Sequence, residues 1–375
     1  MAAPARFMCA CAGAGALDRA VGAGQEPARI FANSFLERIA PMSEKIEVLG
    51  LGNSLVDLIE PVSDDFLVER AMAKGAMTLI DEPRAEGLYA ARRAPKVVSG
   101  GSAANTIFGV GSFGVRAAYI GKVKDDPLGA AYRDDIHASG VRFSTAPATD
   151  GPGTGRCFVY VTADGERTMN TYLGASSFLT PDDVDEALVR EAPITYLEGY
   201  MWDRPAAKAA FQKAGTVAHA AGNRAALTLS DSFCVGRFRD EFLDLMRSGT
   251  VDTLFANTDE LLSLYQTADF DDALAALRRE GVLGIVTRSE LGAIAVQGDA
   301  THEAPAYPIE RLVDTTGAGD YFAAGCLAGM ARSADLTDCL RLGALAAADV
   351  IQRIGARPSR PLRELAGAKG LDRLL

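Results

Sequence analysis

From Ile46 onward, short apolar runs rich in β-forming residues alternate with longer stretches whose apolar positions recur every three or four residues. The runs at 46–51, 117–123, 194–199, 225–230, 252–257 and 284–288 read as strands. Between and beyond them the helical spacing recurs near 103–113, 127–139, 205–221, 239–248, 259–265, 270–280, 320–331 and 336–354. Near-continuous apolar strands separated by helices argue for parallel strands joined by crossover helices, hence an α/β sandwich. Two stretches break the alternation. The segment 57–100 carries only short candidates such as 77–80, and 156–173 reads as a hairpin, Arg156 to Val161 and Thr168 to Leu173 about the turn Ala163-Asp164-Gly165-Glu166. Strands without intervening helices cannot enter a parallel sheet by right-handed crossovers, so a separate small sheet is expected over the α/β body, as a lid.

Residues 1–44 differ from the rest: small residues, glycine-rich patches and no sustained periodicity. A poorly ordered extension is expected there. It lacks the long apolar core of a secretory signal, and Asp18, Glu26 and Glu37 among its arginines make a poor transit peptide. Met42, just before the first strand run, is a candidate start of the native chain. The expected division is a core of 45–56, 101–152 and 175–375, with 57–100 and 153–174 as the lid.

Composition narrows the partners. The 375 residues are 48% hydrophobic and 23% charged, and no apolar run is long enough to span a bilayer. A formal net charge of −11 argues against nucleic acid or an anionic lipid surface as the main partner, because both need clustered Lys and Arg. Six cysteines without paired spacing, several inside apolar segments, suit a reduced, cytoplasmic protein. With three histidines and no H-E-x-x-H, zinc is not expected.

The densest chemical signal is Asp314 to Asp320, D-T-T-G-A-G-D, which runs directly into the apolar stretch starting at Tyr321. Gly317 and Gly319 let the backbone turn tightly with its N–H groups outward, and the following helix adds about half a positive charge at its N-terminus. Such a turn is an anion trap. A carboxylate beside it repels the anion unless a proton is removed between them, so Asp320 reads as the general base of a phosphoryl transfer to a hydroxyl. The same residues also fit an ordinary turn with Asp as a cap.

Two more clusters fall where α/β folds place ligands. They are Gly50-x-Gly52-Asn53-x-x-x-Asp57 after the first strand and Gly100-Gly101-Ser102-Ala103-Ala104-Asn105 before a helix. Asn53, Asp57 and Asn105 supply donors and acceptors suited to sugar hydroxyls; capped βα turns are the plainer alternative. Asn257-Thr258-Asp259-Glu260 offers oxygen ligands at i and i+3 for the water shell of Mg²⁺, or equally a capping box. Thr287 to Gly292 follows another strand and suits a nucleotide phosphate tail. Gly109 to Gly114 matches G-x-G-x-x-G but falls late in a helical pattern, so helix packing and a C-cap explain it better than a dinucleotide site. No P-loop and no G-x-S-x-G motif occurs.

In this order, G-x-G-N-x-x-x-D, G-G-S-A-A-N, N-x-x-E and D-T-T-G-A-G-D resemble the ribokinase-like, or PfkB, family of carbohydrate and nucleoside kinases, over nearly everything from Ile46 to Pro358. The segments Gly151 to Cys157, Glu166-Arg167-Thr168 and Leu229 to Phe233 look more like its adenosine-kinase branch. The resemblance implies a three-layer α/β/α ribokinase-like fold with a mostly parallel sheet and a small β lid. It implies Asp320 as base, with the backbone of Gly317, Ala318 and Gly319 as the anion hole. It further implies Asn257 and Glu260 organising Mg²⁺ through water. Asn53, Asp57 and Asn105 would hold ribose hydroxyls, beside close passage at Gly100 and Gly101. Arg167 would meet phosphate or substrate from the lid, and Thr287, Gly292 and the helix leading to Gly355-Ala356 would flank ATP. Cys326 departs from the family pattern, which usually has a larger apolar or aromatic residue there. The expected activity is transfer of the γ-phosphoryl group of ATP to a primary hydroxyl of a ribosyl compound, adenosine first, by a monomer or homodimer. Alternatives are a kinase of ribose, fructose or a keto-deoxy sugar acid, a non-catalytic nucleoside binder, and a dehydrogenase using Gly109 to Gly114.

Overall fold

The computed structural model describes residues 45–375; the expectations for residues 1–44 and for Met42 as a start lie outside the described residues. The first half of the described chain runs β1 (Val48–Leu51), β2 (Leu55–Pro61), α1 (Asp64–Glu69), β3 (Met77–Leu79), α2 (Glu82–Ala91), β4 (Lys96–Gly100), α3 (Ser102–Ser112), β5 (Ala117–Ile120), α4 (Pro127–Ala138), β6 (Arg142–Phe143), β7 (Gly155–Val161) and β8 (Arg167–Tyr172). It continues through α5 (Glu186–Glu191), β9 (Ile194–Glu198), α6 (Pro205–Ala220), β10 (Arg224–Thr228), α7 (Ser232–Arg247), β11 (Thr253–Asn257), α8 (Thr258–Tyr265), α9 (Phe270–Arg279) and β12 (Leu283–Thr287). The hairpin β13 (Ala293–Gln297) and β14 (Ala300–Ala304) leads to α10 (Ala318–Ala331), α11 (Leu336–Val350) and α12 (Leu362–Ala368).

Among the described residues nine strands form the main sheet, in the order β14-β13-β12-β11-β10-β9-β1-β5-β6. Pairing is parallel from β12 through β6, and only the β13 and β14 hairpin runs antiparallel. Side-chain alternation splits each strand between two cores. Val48, Ala117, Tyr119 and Tyr196 face a cluster with α3, α10 and α11, while Leu49, Leu51, Ala118 and Leu197 face a second with α6, α7 and α9. That is three layers. Full burial of each Leu or Ile contributes about 1.5–3 kcal/mol, so both faces hold the sheet to its helices.

A second sheet has the order β3-β8-β7-β2-β4, with β7 and β8 antiparallel and Val161 opposite Arg167. The hairpin expected at 156–173 is therefore present. Within this sheet β2 pairs parallel with β7, and Leu55 of β2 lies opposite Gly100 of β4.

Some expectations change. The stretch 57–100 also holds α1 and α2, which start on the side-chain caps Ser63 and Asp81. Helix α7 begins at Ser232 rather than 239, capped by Asp231, because a non-helical Phe238 kinks it and interrupts its period. The β13 and β14 hairpin escapes the pattern: β14 is largely exposed, and the buried apolar stretch of β13 is only four residues, Ala293 to Val296. Helix α11 ends at Val350 rather than 354, because the backbone N–H groups of Val313 and Asp314 donate to the Ile351 carbonyl and end the helix there. Gly109 lies inside α3, with the Ala324 methyl 2.6 Å from where its Cβ would be, and Gly114 (φ 83°) follows the helix end, so this glycine motif serves helix contact and termination.

Candidate active site

The C-terminal ends of β1 and β9 and the N-termini of α3 and α10 converge on Asp320. The α3 terminus is shaped by Gly101, whose φ of 107° and position allow only glycine: a Cβ there would lie 2.1 Å from the Asn53 carbonyl oxygen. This close approach brings the two sequence motifs together. Gly100 borders Asp57, whose Oδ2 lies 2.5 Å from the position of a Cβ at residue 100.

Asp320 occupies the first turn of α10 and is partly buried. Its Oδ1 accepts from Ser102 Oγ at 2.7 Å and its Oδ2 from Asn105 Nδ2 at 3.1 Å. Burial pushes its carboxyl up to about 6, while these two donors and the Arg357 guanidinium pull the other way. Asp57 is likewise pushed up to about 6 by burial, with Arg357 and Arg167 opposing and Asp320 adding. A base near neutrality is suited to taking a proton from an alcohol.

The turn before α10 is held by Asp314. Its Oδ1 accepts from Thr316 N at 2.9 Å and its Oδ2 from Gly355 N at 3.0 Å. Gly317, at φ 80°, lies against Ala356. Ala318 N donates back to Thr315 O at 3.1 Å, which tightens the turn. In the next positions, among the described residues, the backbone N–H groups of Gly319 and Asp320 have no backbone acceptor, as expected of a first turn. Arg167 reaches this turn from β8: its Nε lies 3.0 Å from Asp314 Oδ2, both side chains buried. Its Nη2 is buried without a hydrogen-bond partner, a donor that an anion at the turn would satisfy.

Asn53 is held from below by Glu198, at the end of β9. Glu198 is 1% exposed and accepts from Asn53 Nδ2 at 2.6 Å, Asn53 N at 3.3 Å and Ala103 N at 2.8 Å. Burial pushes its carboxyl up to about 7 despite those donors. Asn53 Oδ1 accepts from Ser176 Oγ at 3.0 Å, so the side chain is fixed at both ends.

Asn257, Glu260, Thr287 and Gly292 form a separate group at the ends of β11, β12 and the start of β13, with Asn257 opposite Thr287. Asn257 and Glu260 make a full capping box: Glu260 N donates to Asn257 Oδ1 at 2.8 Å and Asn257 N to Glu260 Oε2 at 3.0 Å. Asn257 Nδ2 also donates to Glu260 Oε1 at 2.8 Å, and burial pushes the Glu260 carboxyl up to about 7. Both side chains are thus engaged with each other. Among the described residues no three His, Cys, Asp or Glu side chains gather as a metal cage. Mg²⁺, which keeps several waters and leans on substrate phosphates, fits such a site only through water.

Sequence reasoning missed Ser102, Glu198 and Arg357. Ser102 lay inside a motif already singled out. Glu198 offered a signal, an acidic residue closing an otherwise apolar strand. Arg357 offered none. A cavity of about 450 Å³ walled by Lys122, Thr149, Gly151, Phe178 and Asp183 includes none of the expected site residues.

Comparison with known proteins agrees with this geometry. The model of the pfkB family carbohydrate kinases matches residues 77–363. The solved adenosine kinase from Sinorhizobium meliloti is 50% identical, with a TM-score of 0.80 over 87% of this chain and 99% of that one. A probable sugar kinase protein from Rhizobium etli CFN 42 is 49% identical, with a TM-score of 0.82 over the same shares. The adenosine kinase of Saccharomyces cerevisiae is 28% identical over 345 residues, 85% of this chain and 98% of that protein. Fold, motif order and these likenesses together place the chain in the pfkB family of carbohydrate kinases, in its adenosine-kinase-like branch, as a phosphotransferase acting on an alcohol group of a sugar or nucleoside.

Proposed function

We propose that the protein transfers the γ-phosphoryl group of ATP to the primary hydroxyl of adenosine, with Asp320 as general base. The observation that carries this reading is the placement of Asp320 between two side-chain donors at a helix N-terminus with unpaired N–H groups. Each Asp320 oxygen accepts one hydrogen bond and keeps a lone pair for the acceptor O–H. The hydroxyl proton passes to Asp320, the freed oxygen forms its bond to the γ-phosphorus, and the bond to the β-phosphate oxygen breaks to leave ADP. The N–H groups of the turn and Arg167 face the charge on the transferring group.

Asn53, Asp57 and Asn105 hold the acceptor's other hydroxyls, with Gly100 and Gly101 allowing close passage. Thr287 and Gly292 border the nucleotide. Asn257 and Glu260 would hold Mg²⁺ through water, and the ion would supply charge neutralisation on the phosphates. The small sheet acts as a lid over 45–56, 101–152 and 175–375, its segments 57–100 and 153–174 excluding water that would otherwise accept the phosphoryl group.

A coupled measurement of ADP formation across adenosine, other nucleosides, ribose, fructose and a keto-deoxy sugar acid tests the reading. The highest kcat/KM is expected with adenosine. A higher value with a free sugar would replace adenosine by the sugar reading, to which the Rhizobium etli neighbour's description corresponds.

A further inference from the structure

The C-terminal segment after α11 sends one side chain into the active site. Arg357 Nη1 donates to Asn105 Oδ1 at 2.6 Å, and its Nη2 donates to the Ser99 carbonyl and to Ser99 Oγ, the latter at 2.8 Å. The guanidinium lies over the Phe108 ring at 4.1 Å from the centroid, which fixes its plane. One side chain therefore ties together α3, the end of β4 beside Gly100, and the segment that follows Gly355.

A carboxamide can present either its oxygen or its NH₂ group to a neighbour, and nothing in its shape decides which. An arginine has donors only, so Asn105 must turn its oxygen to Arg357. That leaves Asn105 Nδ2 facing Asp320 Oδ2, which can only accept while ionised. The two contacts select one amide orientation. Ser102 Oγ then holds the other oxygen of the base.

We propose that Arg357 is a positioning residue for the phosphoryl transfer: it locks the Asn105 carboxamide in the orientation that holds Asp320 ready to accept the substrate proton. This rests on Asp320 being the base. Arg357 also favours the ionised carboxylate through its charge. The other titratable groups whose charge interacts with that of Asp320 are Asp57 from β2, Tyr119 from β5, Tyr196 and Glu198 from β9, Tyr200 beyond it, and Tyr321 on α10 itself. Arg357 is the cation among the groups that oppose protonation of Asp320.

The test compares Arg357→Met and Arg357→Lys with the parent enzyme. Activity requires Asp320 ionised, so it falls as pH drops through its pKa; loss of the Arg357 charge raises that pKa. In Arg357→Met, kcat should fall about 10-fold or more with the KM for ATP little changed, and the acid limb of kcat/KM should move up by about half a pH unit or more. Arg357→Lys keeps the charge but lacks the fork, so its acid limb should stay in place while kcat remains depressed. A cycle with Asn105→Ala reads whether Arg357 acts through Asn105: the double variant should lose much less than the product of the two single losses. Folding of each variant is checked by thermal unfolding, and Arg357→Lys carries the test alone if the methionine variant does not fold. Full kcat in both variants, or multiplicative losses in the cycle, would overturn the proposal. Asp320→Asn is run beside them. If that variant keeps its turnover, the base assignment itself fails; if it is inactive while the Arg357 variants behave as wild type, only the positioning role is lost.

Discussion

Replacing Asp320 by Asn removes the base and little else, and the structure allows both effects to be sized. Loss of general-base catalysis lowers kcat by about 10² to 10⁴, or about 3 to 5 kcal/mol of transition-state stabilisation. Stability should move far less. An Asn can keep the Ser102 hydrogen bond through its oxygen, but its NH₂ group then faces Asn105 Nδ2, which cannot turn away while Arg357 holds the Asn105 oxygen. A donor left facing a donor costs about 1 to 3 kcal/mol. Against this, the ionised Asp320 is disfavoured in the folded protein, its pKa rising from 3.8 to about 6. That shift corresponds to at most about 3 kcal/mol at pH 8, which the neutral amide escapes. The two terms oppose and are of similar size. Coupled ADP release gives kcat and the KM for ATP, and thermal unfolding gives stability. A folded Asp320→Asn enzyme with kcat within 10-fold of the parent would refute the base assignment.

Three further outcomes follow from the same geometry. Asp57→Ala should raise the acceptor KM by about 10-fold or more while leaving the KM for ATP nearly unchanged, since hydrogen bonds to hydroxyls remote from the reacting oxygen are worth about 1.5 to 3 kcal/mol when charged; steady-state kinetics decide, and an unchanged acceptor KM removes Asp57 from the pocket. Gly101→Ala forces a side chain to φ 107° and sets its Cβ 2.1 Å from the Asn53 carbonyl oxygen, so a loss of about 2 to 4 kcal/mol in urea unfolding is expected, and a loss below about 0.5 kcal/mol contradicts the close approach. The folded pKa values of Asp57, Asp320, Glu198 and Glu260 all lie above their ordinary ones, so the stability they contribute is present at low pH and is lost as pH rises through about 6 to 7. The ligand-free protein should therefore show a lower urea midpoint at pH 8 than at pH 5.5, and a midpoint that rises over that interval would contradict the burial of these carboxyls.

What the sequence determined by itself was local. Largely apolar runs made six strands of the main sheet legible, because a strand buried on both faces carries few polar positions, and β1, β5, β9, β10, β11 and β12 all lie within those runs to within a residue or so. The turn before α10 and the Asn257–Glu260 box were legible for the same reason: capping and turning depend on residues three or four apart. Short or weakly periodic elements escaped, among them the two-residue β6, the β13 and β14 hairpin and the helices α1, α2, α5 and α12. Tertiary structure alone decided which groups meet. Ser102 and Asn105 reach Asp320 across more than 200 residues of chain, Glu198 reaches Asn53 across 145, and Arg357 reaches Asn105 across 252. No spacing rule connects such distant positions; the packed layers do, because β1 and β9 lie side by side in the parallel part of the main sheet with their C-terminal ends together, and α3, leaving β4 of the small sheet, and α10, after the β13 and β14 hairpin, bring their N-termini to that edge.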